Sequence, residues 1–536
     1  MATAAQLIAR RLYEAGCRHA FGIPGGEVLT IVDALEEAGI EFRLAKHENS
    51  AGFMAEGVWH ATGAPGVLLA TLGPGVANAI NVVANAWQDR VPLIFLTGCV
   101  DPHEAALYTH QVFDHNALLS PVTKATLTVV PGAADILADK AIAFALDGQP
   151  GPVHIDVPIS VAAAEESGAH PVRRAVPAPV APAAGPALDL AREWFRSATR
   201  PLIIAGLDVL NQHGEARLRE VVEHFDIPLL TSYKAKGILP EDHPLALGGA
   251  GLSPKADEIL LPLVAESDCI ILAGYDPIEM RAGWCSPWPD DSRVIEFSAV
   301  HNTHYVHHSR LSFVCDVAAA LEQLVVGDET RPNWSSNGDP PVARDALRAF
   351  FSASEAWGPA AVIETARRML PRDTVATADS GAHRILLSQM WSCYEPRTLL
   401  QSTGLCTMGC ALPLATGAKL ANPSRPVAAF MGDAGLEMVM GELSTLRDAK
   451  VPVLVFVFVD ESLALIELKQ RRMGLDNAGV DFEATDFPAV AKGFGLNGVW
   501  VDSRGELEQA ISAALTTERS TVLACRIPRK AYDGLF

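Results

Sequence analysis

Long apolar runs are absent from this 536-residue chain: no stretch approaches the ~20 consecutive apolar residues that cross a membrane, so no membrane partner is expected. Positive charge is in short supply as well. With 42 Lys and Arg against 63 Asp and Glu, the formal net charge of −21 argues against nucleic-acid binding by phosphate neutralisation. Any phosphate the protein handles must then be gripped locally, by backbone amides and a metal ion. The nine cysteines are scattered with no disulfide framework, and Cys406 and Cys410 lack the second pair that a zinc site needs. That usage points to a reducing cytoplasm, as does an N-terminus, Met1 to Ile8, that enters an amphipathic helix without a charged-then-apolar export signal.

The chain is globular, with 49% apolar and 20% charged residues, and its length exceeds one ordinary core, so roughly three domains are expected. Two linkers divide it. The first, 166–188, carries Pro171, Pro177, Pro179, Pro182 and Pro186, a composition that forms extended spacer. The second, 327–345, contains Arg331-Pro332-Asn333-Trp334-Ser335-Ser336-Asn337-Gly338. The blocks 1–165, 189–326 and 346–536 alternate short β-rich runs with helical patterns, among them Gly66 to Thr71, Leu93 to Thr97, Leu202 to Ala205 and Cys269 to Ala273. This alternation predicts α/β architecture built on parallel sheets.

The most informative pattern lies in the last block. The apolar run Pro426 to Met431 stops at Gly432-Asp433-Ala434-Gly435, and 27 positions after Asp433 the run Val451 to Val459 stops at Asp460-Glu461-Ser462. Runs rich in β-branched residues that end abruptly at polar ones read as buried parallel strands, and ligands in such sheets sit at the carboxyl ends of strands. Leu436 to Leu446 has apolar residues at helical spacing, so Ala434 and Gly435 open a helix whose amides face an anion. Asp433 and Asp460, on adjacent strand ends, are placed to share Mg²⁺ with phosphate oxygens, with the Ser462 carbonyl as a further ligand.

With this metal motif, several other stretches resemble one family. They are Phe21-Gly22-Ile23-Pro24-Gly25-Gly26, Lys46-His47-Glu48, Gly73-Pro74-Gly75, His110-Gln111, Ser120-Pro121-Val122-Thr123-Lys124, Gly274-Tyr275-Asp276-Pro277-Ile278-Glu279 and Thr407-Met408-Gly409. Together they resemble the thiamine-diphosphate enzymes, in particular the FAD-free catabolic branch of the acetolactate synthases. The resemblance implies three doubly wound parallel-sheet domains: pyrimidine-binding (1–165), central (189–326) and diphosphate-binding (346–536). It implies thiamine diphosphate and Mg²⁺ as cofactors, and a homodimer or homotetramer with active sites at the subunit interface.

It also implies roles. Glu48 takes the position of the glutamate that protonates the pyrimidine ring, and its apolar neighbours Ala51, Phe53 and Met54 suit a carboxyl that must exchange a proton. Met408 matches the residue that wedges between the cofactor's rings. Backbone near Cys406 and Met408 would bind the pyrimidine edge, with Cys406 standing where many relatives have Gly. Gly73, Gly381, Ala382, His383, Gly432, Asp433, Ala434, Gly435, Asp460, Ser462 and Leu463 would complete the cofactor contacts, with Asp433, Asp460 and Ser462 on the metal. Ala434 replaces the usual third Gly of the motif, and Asp460 replaces a commoner Asn.

Gln111 is expected to act in catalysis and, with Gly25, Phe113 and Ile466, to meet a small 2-oxo acid. Leu463 to Gln470 would form the helix lining that cavity, although Glu461 and Leu463 differ from standard acetolactate synthases. The implied reaction decarboxylates a 2-oxo acid such as pyruvate and joins the remaining unit to a second carbonyl. Release of an aldehyde by simple decarboxylation is the alternative, followed by an acyl transferase or lyase with another donor. A noncatalytic homologue is disfavoured because Glu48, Met408, Asp433 and Asp460 are all present. FAD is not expected, because Ala205-Gly206-Leu207-Asp208 lacks a glycine-rich dinucleotide turn. His301, His304, His307 and His308 read as polar loop residues, since no carboxylate or Cys stands beside them at ligand spacing.

Overall fold

The computed structural model describes residues 2–166, 168–172, 174–175, 177–278, 280–327, 339–352 and 355–536. Most of the expected second linker, Glu279 of the Gly274 to Glu279 stretch, and Ser167, Arg173 and Val176 of the first linker lie outside the described residues. Three six-stranded sheets carry the fold, and all their strands pair in parallel. Their central strands are buried but for the half-buried last residues Cys99 and Gly432, as expected where helices cover both faces. Each fully buried Val, Leu or Phe there stabilises the fold by about 1.5–3 kcal/mol.

The N-terminal sheet runs in space Glu41–Leu44, His19–Ile23, Gly66–Ala70, Leu93–Cys99, Val153–Pro158 and Ala125–Thr128. The C-terminal sheet runs Leu399–Gln401, Val375–Ala378, Val427–Gly432, Leu454–Val459, Thr521–Arg526 and Asn497–Val501. Counted along the chain, both have the order 2-1-3-4-6-5. The central sheet instead runs Ala246–Ala250, Leu229–Ser232, Pro201–Ala205, Cys269–Ala273, Val294–Ser298 and Leu311–Val314, the order 3-2-1-4-5-6. At its switch point the backbone closes on itself: the Gly206 amide donates to the Ala273 carbonyl at 2.9 Å and the Asp208 amide to the Gly274 carbonyl at 3.2 Å.

Elements intrude on both expected linkers. Glu165–Glu166 pairs antiparallel with Ala2–Thr3, helix Pro186–Ser197 opens inside the first linker, and helix Asp339–Phe350 inside the second. The three sheets are locked together at Asp89. This fully buried carboxylate pairs with Lys234 of the central sheet's region at 2.8 Å and accepts from the Thr403 and Gly404 amides at 3.0 and 2.8 Å. Burial opposes its ionisation, but the Lys234 charge and hydrogen bonds from Lys234 and Thr403 prevail and hold its carboxyl below the ordinary range.

Candidate functional site

Strand Val375–Ala378 ends at Asp379, strand Val427–Gly432 at Asp433, and strand Leu454–Val459 at Asp460. The first two of these strands flank the point where the chain's winding reverses, which is where open parallel sheets bind ligands. A cavity of about 120 Å³ opens there. Gly381, Ala382, His383, Met408, Gly432, Asp433, Ala434, Gly435, Asp460, Ser462, Leu463 and Ile466, all singled out in the sequence, line it. Phe458 and Tyr532 line it as well and carried no signal of their own. Tyr532 arrives from a turn near the C-terminus, far along the chain from the motif.

The helix after Gly432 is shorter than its apolar spacing predicts. It covers Asp433–Met438 and stops, and a second helix, Glu442–Ala449, begins after Val439 to Gly441. The Glu442 carboxylate, at the start of that second helix, accepts the Lys46 and His47 amides at 2.9 and 3.1 Å, tying the helix to the N-terminal domain. The amides beyond strand Leu454–Val459 converge on Asp433. Its Oδ2 accepts from Asp460 at 3.1 Å and from Glu461 at 2.8 Å, and its Oδ1 from Ala434 at 2.8 Å. Glu461, one of the sequence's departures from relatives, takes a left-handed backbone, φ 57°, as it donates. Ser462 donates its amide to Asp460 Oδ1 at 3.3 Å and its hydroxyl to Asp481 at 2.7 Å.

Burial raises the Asp433 carboxyl to about 6. Burial, reinforced by the negative charge of Asp433, raises Asp460 to about 8. Two neighbouring carboxylates that resist ionisation in this way suit a divalent cation, which removes their mutual repulsion. His383, driven down to about 4 by burial, is neutral, stacks on Phe458 at 5.3 Å, and has an Nε2 with no hydrogen-bond partner among the described residues. Gly435 is required by close approach: a Cβ there would lie 1.9 Å from Asp379 Oδ2. Asp379 is fully buried, accepts from the Cys410 amide at 3.1 Å, and is raised to about 7 by burial. Neutral donors, two carboxylates and a tight glycine turn at strand ends fit a metal-bound diphosphate.

The remaining candidates gather at the N-terminal sheet. Glu48 is buried at the start of helix Glu48–Thr62, where His47 Nδ1 accepts the Asn49 amide, and its Oε2 accepts from Asn78 at 3.0 Å. Gly73, at φ 63°, follows strand Gly66–Ala70, and a Cβ there would lie 2.4 Å from the Gln111 carbonyl oxygen. Gln111 is itself left-handed at φ 61°, a conformation non-glycine residues seldom hold without a reason. Gly25 sits after strand His19–Ile23, against Thr71. Phe113, 41% exposed, packs edge-on to His115 at 5.0 Å.

His115 was not foreseen, and neither were its supports. Its Nε2 accepts from the Gly73 amide at 3.2 Å, which places its proton on Nδ1, facing Asp156 Oδ1 at 3.2 Å. Asp156 Oδ1 also accepts from Thr97 Oγ1 at 2.8 Å. Asn78 and this relay join residues 30 to 59 positions apart, beyond any local pattern.

Within one chain the two groups stay apart. Glu48, Gly25, Gly73, Gln111 and Phe113 do not line the cavity that contains Asp433. Cys406 does not line it either: its thiol meets Arg384 Nη1 at 3.1 Å and the Thr403 carbonyl at 3.2 Å.

Three family models match the chain: thiamine pyrophosphate enzyme, N-terminal TPP binding domain, over residues 2–118; the central domain of the same enzymes over 188–324; and their C-terminal TPP binding domain over 379–525. A probable 2-ketoarginine decarboxylase of Pseudomonas aeruginosa is 30% identical over 98% of this chain and 94% of its own length. The catabolic acetolactate synthase of Raoultella terrigena is 29% identical over 97% and 94%. The acetolactate synthase of Bacillus subtilis is 27% identical over 97% and 92%. The chain belongs to the thiamine pyrophosphate enzyme family, as an acetolactate synthase-like member dependent on thiamine diphosphate.

Proposed function

We propose that the protein decarboxylates a 2-oxo acid, pyruvate first among them, and joins the remaining unit to a second carbonyl, giving acetolactate or a related 2-hydroxy-oxo product. One observation carries this reading: the cavity that gathers Asp433, Asp460, His383, Met408 and Ile466 at the carboxyl ends of the C-terminal strands. Thiamine diphosphate, when bound, supplies the nucleophilic carbon and the electron sink that loss of CO₂ requires. Asp433, Asp460 and the Ser462 carbonyl would hold Mg²⁺ on its diphosphate, and the amides opening helix Asp433–Met438 would face the phosphate oxygens.

Glu48, with Asn78 fixing one of its oxygens, exchanges the proton at the pyrimidine ring nitrogen. Gln111, whose backbone lies close against Gly73, orients the acid's polar end, while Phe113 and Ile466 exclude water around its side chain. The separation of Glu48 from the Asp433 cavity within one chain supports a homodimer or homotetramer in which one subunit's N-terminal domain completes its partner's site. A cytoplasmic location fits nine free cysteines. FAD is no part of the reading, because Ala205-Gly206-Leu207-Asp208 lacks a glycine-rich dinucleotide turn. A flavin absorption band in purified protein would contradict it.

The experiment is NMR of the products formed from pyruvate, then from a panel of 2-oxo acids, with thiamine diphosphate and Mg²⁺ and without FAD. Acetolactate establishes carboligation. Aldehyde and CO₂ alone establish simple decarboxylation, the reading favoured by the relative at 30% identity.

A further inference from the structure

The histidines at 301, 304, 307 and 308 have no carboxylate beside them in the sequence, but folding supplies one. Glu296, in strand Val294–Ser298, is 1% exposed, and its Oε1 stands 3.4 Å from His307 Nε2. One ligand atom each from Glu296, His304 and His307 lies within 4.8 Å of the others. Two ligands at about 2.0–2.1 Å from a tetrahedral ion stand roughly 3.3–3.4 Å apart, so the His307–Glu296 pair is already at ligand spacing. The same 3.4 Å is long for a hydrogen bond.

The surroundings are those of a prepared site. Asn302 Nδ2 donates to Glu296 Oε1 at 3.1 Å and Ser309 Oγ to Oε2 at 2.6 Å, orienting the carboxylate as outer partners of metal ligands do. His304 Nδ1 accepts the Val306 amide at 3.0 Å, which leaves Nε2 free on an exposed side chain at the mouth. His307, buried between Tyr275 and Trp288 at 5.3 Å from each, has an Nδ1 with no hydrogen-bond partner among the described residues. Among those residues no Lys or Arg pairs with Glu296, whose partners are His307, Asn302 and Ser309.

The cluster also holds an unusual connection. Neighbouring parallel strands are ordinarily joined through a helix, whereas the segment between Val294–Ser298 and Leu311–Val314 contains none. We infer that Glu296, His304 and His307 bind a divalent first-row transition ion of the zinc class, apart from the cofactor cavity, and that the ion clips this segment to the central sheet. The equally compact His115, His154 and Asp156 group differs, because all three of its residues are buried, whereas His304 is exposed.

The test is calorimetric titration of the metal-stripped full chain with Zn²⁺, in excess Mg²⁺ and thiamine diphosphate so that the cofactor cavity is filled. One zinc per chain, raising the melting temperature, is expected. His304→Ala, which removes an exposed ring and leaves the core intact, should weaken that binding by more than the roughly 10–100-fold that loss of an outer-shell partner costs. Glu296→Gln, isosteric and buried, should do the same. Absence of zinc binding, or binding undiminished in His304→Ala, overturns the site and leaves Asn302, Ser309 and His307 as the hydrogen-bond partners of Glu296.

Discussion

The two end sheets share one strand order, and their equivalent strand ends carry different chemistry. After its first, third and fourth strands the C-terminal sheet presents Asp379, Asp433 and Asp460, whose carboxyls burial pushes upward. After the first and third strands of the N-terminal sheet come Gly25 and Gly73, with the partnered Glu48 nearby and the His115 relay behind. One end is short of positive charge. The other keeps its carboxylates, Glu48 and Asp156, on hydrogen-bond partners of its own. A single scaffold used twice thus carries carboxyls raised by burial at one end and a hydrogen-bonded Glu48 and His115 relay at the other.

If that division is right, the two ends fail differently when altered. The largest effect should come from Glu48→Gln: turnover falls about 10²–10⁴-fold while cofactor affinity, read by fluorescence quenching, changes little. An unchanged rate would remove Glu48 from the chemistry. Next comes the tie between the sheets. Asp89→Ala strands the Lys234 ammonium in the interior and should cost about 3–5 kcal/mol, seen as a lower denaturation midpoint with both ends affected together. At the charged end, Asp433→Asn should weaken Mg²⁺-dependent cofactor binding by at least about 10–100-fold, so that saturating cofactor restores part of the activity, which it cannot do for Glu48→Gln.

How far the sequence foretold this contrast depends on whether a signal was local. Asp433 and Asp460 stand at the ends of apolar runs with a fixed spacing, and the parallel sheet follows from those runs. Glu48 and Gln111 were legible only through resemblance, since a glutamate at a helix start and a glutamine in a loop carry no pattern. Asn78, His115 and Asp156 escaped because their contacts span 30 to 42 positions and link different strand ends. The split of Leu436 to Leu446 into two helices escaped because the apolar spacing runs on across Val439 to Gly441, where the backbone does not.

The smallest effect is also the most diagnostic, because it runs in opposite directions with and without the cofactor. In the folded chain Asp433 and Asp460 titrate at about 6 and about 8, above an ordinary carboxyl, so between about pH 4 and pH 8 the folded apoprotein holds protons that the unfolded chain has released. Apoprotein stability therefore falls as pH rises through that window. Mg²⁺ and thiamine diphosphate need the carboxylates ionised, so the stabilisation they confer should grow over the same range, and thermal melts from pH 5 to 8 with and without cofactor should diverge. Glu48→Gln should leave the divergence intact, whereas Asp460→Asn should flatten it. Parallel melts in the wild-type protein would mean that the two aspartates do not hold the metal, and the distinction between the two ends of the chain would have to rest on Glu48 alone.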